Sequence, residues 1–151
     1  MKPIKSILTA TEGRRVLISV RGEQYFDGVD PDATELVTEG LLQETEEGLL
    51  LSYEESALTG MEGTTTTFQV CGSQVILTRS GAVNSQMIFE EGRQHTSLYE
   101  TPFGDMSVDI GTSRLRQELT AAGGELEIHY SIAVQNTVTG RNCFRISVRE
   151  K

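Results

Sequence analysis

Arg79 ends the run Val75-Ile76-Leu77-Thr78-Arg79, in which every second residue from Val75 is apolar until the guanidinium is reached. Residues two apart on a strand face the same side, so an inward Val75 and Leu77 carry Arg79 inward with them. A charge turned into a core must be paired or hydrogen-bonded. Glu55 is the natural partner, because it ends the parallel series Leu49, Leu51, Tyr53, Glu55. The chemistry open to this pair is recognition. A guanidinium binds a carboxylate or a phosphate through two parallel N–H donors, and apolar residues beneath it hold the rest of an amphipathic molecule.

The same parity places Thr64 and Thr66 with Phe68 and Val70, Ser85 and Met87 with Phe89, and Tyr99 with Thr101. The candidate ligand-binding residues are therefore Tyr53, Glu55, Thr64, Thr66, Arg79, Ser85, Met87, Tyr99 and Thr101. Of these, Glu55, Thr64, Arg79, Ser85, Tyr99 and Thr101 form a polar ring above an apolar cup of Leu51, Phe68, Leu77, Met87, Phe89, Val108, Ile128 and Ile146. A second reading fits equally: Arg79 and Glu55 form a buried ion pair that plugs one end of an interior filled by side chains.

Other chemistries find less support. Glu55 or Glu62 could act as acid or base on a substrate held by Arg79, but no second catalytic partner accompanies either, so a non-catalytic role is favoured. The histidines are His95 and His129. His129 falls on the polar face of its run and His95 away from the proposed ring, and neither sits in a haem or nucleophile–base pattern. The aspartates between Gly22 and Asp32 do not match the spacing of a calcium loop. No cofactor and no metal are expected.

The elements that must position these residues are short strands. Alternation marks Arg14 to Arg21, Leu49 to Glu55, Thr64 to Val70, Ser73 to Arg79, Ser85 to Phe89 and Gln94 to Thr101. It returns at Met106 to Ile110, Leu126 to Val134 and Phe144 to Val148. Between Thr34 and Thr45 the alternation changes phase near Gly40, the pattern of a glycine bulge. Around Gly111 to Arg116 it slips to Leu115 and Leu119, which favours a bulged strand over a short helix. Gly22 to Asp32 reads as a loop by its turn chemistry.

Short connections between so many strands describe an antiparallel meander, and an open meander leaves two exposed edges. The expected fold is all-β: a closed antiparallel up-and-down barrel of about eight to ten strands, with a two-sheet sandwich as the alternative. In a meander, turns fall at alternate ends, so Ser56–Gly63, Ser80–Asn84 and Thr101–Gly104 gather on one rim with the candidate residues.

At 151 residues the chain makes one domain, 1–151, with residues 1–13 as an N-terminal extension. Thirteen basic against twenty-two acidic side chains give a net charge of −9, which argues against nucleic acid and anionic membrane as partners. Cys71 and Cys143 lie far apart without zinc or disulfide spacing, and no run is apolar enough for a signal peptide or a membrane span. A cytoplasmic protein is expected.

Four motifs also resemble a known family: Ser52-Tyr53-Glu54-Glu55, Thr59-Gly60-Met61-Glu62-Gly63-Thr64-Thr65-Thr66, Arg79-Ser80-Gly81-Ala82-Val83-Asn84-Ser85-Gln86-Met87 and Tyr99-Glu100-Thr101-Pro102-Phe103-Gly104. Together they are similar to the YwiB-like family of small bacterial proteins, chiefly Gram-positive. The resemblance implies a calycin-like (lipocalin-type) β-barrel of cytoplasmic, bacterial origin. It implies no activity and carries over no catalytic residue, although calycins commonly hold small molecules in the barrel. The partner expected is a small amphipathic or anionic molecule. The rival reading is a homodimer or interaction module joined through the outward residues Leu50, Ile76 and Ile88.

Overall fold

Alternating inward apolar and outward polar residues become ten strands: β1 (Arg14–Tyr25), β2 (Asp32–Thr45), β3 (Gly48–Glu54), β4 (Thr64–Cys71), β5 (Gln74–Gly81), β6 (Ser85–Glu90), β7 (Gln94–Thr101), β8 (Gly104–Gln117), β9 (Gly124–Val134) and β10 (Thr137–Glu150). The computed structural model describes residues 13–25, 30, 32–82, 84–101, 103–135 and 137–151, and of Thr59, Thr101 and Thr139 the backbone only. Each strand pairs antiparallel with its sequence neighbours, and β1 pairs with β10 from Val16↔Glu150 to Tyr25↔Arg141, so the sheet closes into a barrel. Closure removes both free edges, which is the physical reason for preferring it to an open meander.

All eight residues of the expected cup are buried, with Leu51, Phe68, Phe89 and Ile128 fully so. Each such side chain taken out of water stabilises the fold by about 1.5–3 kcal/mol. Phe144 meets Phe68 edge to face at 6.2 Å and stacks on Tyr130 at 5.6 Å, while Tyr130 packs on Phe89 at 4.8 Å.

Two sequence expectations need correction. Gly22–Asp32 is not all loop: β1 continues to Tyr25 and β2 begins at Asp32, with residues 26–29 and 31 outside the described residues. The N-terminal extension likewise lies outside them, save residue 13. Gly40 is no bulge, since β2 holds one register against β1 and against β3. The outward apolar residues Val37 and Leu41 imitate a change of phase, and Gly40 serves close packing instead. A Cβ there would lie 2.4 Å from Ile18 Cδ1 and 2.4 Å from the Ser52 carbonyl. The slip expected in β8 is present as a register shift between Thr112 and Arg114, and β10 carries another between Val138 and Gly140.

The barrel is lopsided. β8, β9, β10, β1 and β2 are neighbours in the ring and run 11 to 14 residues, whereas β3 to β7 run 6 to 8. One half of the wall therefore stands taller than the other.

Candidate functional site

Register gathers the candidate residues. The pairs Tyr53↔Thr66, Thr66↔Arg79, Arg79↔Ser85 and Ser85↔Tyr99 form one row across β3 to β7. Glu55 follows β3, and its N–H donates to the Thr64 carbonyl at 2.8 Å, which extends the pairing by one step and keeps its side chain on the inner face. Beyond it a short 3₁₀ turn, Ala57–Thr59, is capped by Ser56, whose hydroxyl accepts from Leu58 N–H at 3.2 Å. Gly60 ends that turn at φ 74°, a left-handed conformation that glycine adopts without strain.

The structure places Tyr53, Glu55, Thr64, Thr66, Ser85 and Met87 in the interior, with Tyr99 half-buried and its hydroxyl donating to Met87 Sδ at 3.6 Å. The side chain of Thr101 lies outside the described residues. The Arg79 side chain is 12% exposed and that of Glu55 1%, and Nε stands 4.0 Å from Glu55 Oε2, a charge pair without a hydrogen bond. Thr66 Oγ1 donates to the same carboxylate oxygen at 2.5 Å.

Arg79 Nε and Ser85 Oγ, opposite one another on adjacent strands, are both buried and without a hydrogen-bond partner among the described residues. Ser97 and Thr112 hold two further buried hydroxyls of that kind. They lie beside a loosely matched seam: β6 and β7 are in register at the single pair Ser85↔Tyr99, and the turn after β6 is tied to β8 through Gly92 N–H to the Thr112 carbonyl at 2.9 Å.

A cleft of about 280 Å³ opens at this end of the barrel. Tyr53, Glu55 and Arg79 line one side of it, and Val20, Gly22, Leu36, Tyr130, Asn142 and Phe144 line the other. Thr64, Thr66, Ser85, Met87 and Tyr99 do not border it, so the site is narrower than the predicted ring and displaced toward the tall wall. Burial pushes the Tyr53 hydroxyl well above its ordinary pKa, helped by the charge of Glu55 and opposed by Arg79. Burial does the same to Tyr130, again with Arg79 opposing. The guanidinium thus lies within electrostatic reach of both phenols, which stay neutral donors at physiological pH.

Sequence reasoning missed the tall-wall residues. Tyr130 and Phe144 do alternate inward, but only the β1–β10 closure brings them over Arg79. The histidines stand elsewhere: His95 Nε2 lies 3.0 Å from Glu90 Oε1, and His129 Nε2 lies 2.6 Å from Glu127 Oε2 and 3.7 Å from Cys143 Sγ on the outer face.

With the geometry in place, comparison with known proteins decides the family. A family model described as a domain of unknown function, DUF1934, matches residues 18–146. The chain belongs to the DUF1934 family. A crystal structure of the ywiB protein from Bacillus subtilis superposes with a TM-score of 0.84, covering 96% of this chain and 97% of that one at 21% sequence identity. That likeness establishes a shared fold, and it agrees with the YwiB-like motifs of this DUF1934 chain. No curated protein matches it.

Proposed function

We propose that this DUF1934 barrel binds a small amphipathic anion, a carboxylate or a phosphate ester, in the cleft at its mouth, and binds it without catalysis. One observation carries the reading: Arg79 Nε is buried beside the cleft with no hydrogen-bond partner among the described residues. A guanidinium has five N–H donors, and leaving a buried one unsatisfied costs about 1–3 kcal/mol. Arg79 lines the cleft with 12% of its side chain exposed, so an incoming anion would meet the guanidinium there, while Leu36, Tyr130 and Phe144 would cover its apolar part. Calycin-like barrels offer the same use of a mouth, an analogy of fold only. We place the protein in the cytoplasm on the motif resemblance and its two free thiols, Cys71 and Cys143. Among the described residues no helix is long and apolar enough to cross a membrane.

The test is a fluorescence titration with 1-anilinonaphthalene-8-sulfonate, whose sulfonate and fused rings present both halves of such a ligand. Saturable binding that weakens about tenfold or more in the double variant Arg79→Met/Glu55→Gln is expected. Equal binding by the two proteins, with the variant folded by circular dichroism, would overturn the proposal.

A second reading, a homodimer or protein-interaction module, draws on the outer face of β3 to β6. Leu50, Gln69, Ile76 and Ile88 lie in one cross-strand row, and its three aliphatic members stay half-buried. Sedimentation of the wild type against Ile76→Ser distinguishes it: a dimer dissociated by the substitution favours the interface, and a monomer in both cases rejects it.

A further inference from the structure

We infer that the ligand of this cleft is bipolar, with its anionic group at Arg79 and an amine at the mouth beside Asp32. The inference rests on the proposed anion site and adds a second pole to it. Among the described residues the cleft is lined by one guanidinium, Arg79, and three carboxylates, Glu23, Asp32 and Glu55. Two of the carboxylates are already engaged. Glu55 is held by Thr66 and by the charge of Arg79. Glu23, with 11% of its side chain exposed, accepts from Tyr25 and pairs with Arg21 and Arg145.

Asp32 differs. It opens β2 opposite Gln24, is exposed, and has no ion pair among the described residues. Val20, Leu36 and Phe144 line the same cleft and make part of its wall apolar. Asp32 and Leu36 are four positions apart on one strand, about 13 Å at ~3.3 Å per residue, which is the length of the β2 edge of the cleft.

The charge balance decides between ligand types. A simple anion must pass the unpaired carboxylate of Asp32 on a chain of charge −9, and like charges disfavour that approach. A simple cation meets Arg79 at the base. A molecule carrying an anion and an amine at opposite ends of an apolar spacer is attracted at both, as are ω-amino acids and short peptides with a basic end.

Calorimetric titrations with octanoate, octylamine and 8-aminooctanoate test this on the wild type, on Asp32→Asn and on Arg79→Met/Glu55→Gln. The wild type is expected to bind 8-aminooctanoate about three- to fivefold more tightly than octanoate, the range of a solvent-accessible charge pair. That ratio should fall to about one in Asp32→Asn, an exposed and nearly isosteric change. Equal affinity for the two probes in the wild type, or an unchanged ratio in Asp32→Asn, overturns the bipolar ligand. Arg79-dependent octanoate binding in that same result leaves the anion site standing. Binding of octylamine as tight as that of 8-aminooctanoate overturns the anionic pole, and no binding of any probe overturns both proposals.

Discussion

An arginine at position 79 is tolerable inside an apolar barrel only because Glu55 stands 4.0 Å away and Thr66 fixes that carboxylate. Taking away one member of a buried pair leaves the other uncompensated, which typically costs about 3–5 kcal/mol, whereas taking away both is often nearly neutral. Arg79→Met alone should therefore destabilise the protein by about 3 kcal/mol in urea unfolding, and Arg79→Met/Glu55→Gln by clearly less. A double variant no more stable than the single one would show that the pair contributes little beyond packing. The inward direction of Tyr53, Thr66, Arg79, Ser85 and Tyr99 was legible in the sequence through side-chain parity alone, because each residue ends or continues an apolar series of period two. The row was not: register sets Tyr53 and Thr66 level with Arg79, and Glu55 and Thr64 one step beyond. What parity could not supply was which of these residues border open space.

Among the strands, glycines do two different jobs, and substitution separates them. Gly40 is pressed on one side by Ile18 and on the other by the Ser52 carbonyl, each 2.4 Å from where a Cβ would sit. Gly40→Ala should cost about 1–3 kcal/mol through overpacking. Gly111, in β8, would place its Cβ 3.4 Å from Ser131 Oγ, an ordinary contact, so Gly111→Ala should be neutral or stabilise by about 0.4–1 kcal/mol through the unfolded chain. Thermal melts of the two variants check the contrast.

The outer face of β9 makes a pH prediction. Hydrogen bonding from His129, and then from Arg145, holds the Glu127 carboxyl below its ordinary value of 4.5. Glu23 is lowered likewise, first by Tyr25 and then by Arg21. A carboxyl lowered on folding adds stability that is complete above its unfolded pKa and is lost as pH falls through its folded one. The urea midpoint should thus decline below about pH 4.5, and Glu127→Gln should flatten the decline, with a small amplitude because solvent reaching the half-buried carboxylate screens its ion pairs.

For the whole molecule, the decisive contact joins its two ends. β1 and β10 are the first and last strands, yet they pair over most of their length, as in Ile18↔Val148 and Val20↔Ile146. The ordered loop that this closes is nearly the whole chain, so folding should be slow for its size, in the range of milliseconds to seconds typical of all-β topologies. Stopped-flow refolding followed by tyrosine fluorescence would check it, and a microsecond phase carrying the full amplitude would contradict it. The same closure sets the tall wall of β1, β2 and β10 over Arg79 and so creates the cleft.

Local alternation was enough to determine the strands, the meander and the inward direction of Arg79, because side-chain parity is a property of neighbouring residues and needs no knowledge of the rest of the fold. The phase at Gly40 misled for the same reason: Val37 and Leu41 are apolar but face outward, and nothing local distinguishes that from a bulge. The tertiary structure alone decided where the space lies. A cleft between Arg79, Tyr130 and Leu36 joins residues from β5, β9 and β2, and its existence depends on unequal strand lengths and on the pairing of chain ends, neither of which is encoded at any single position.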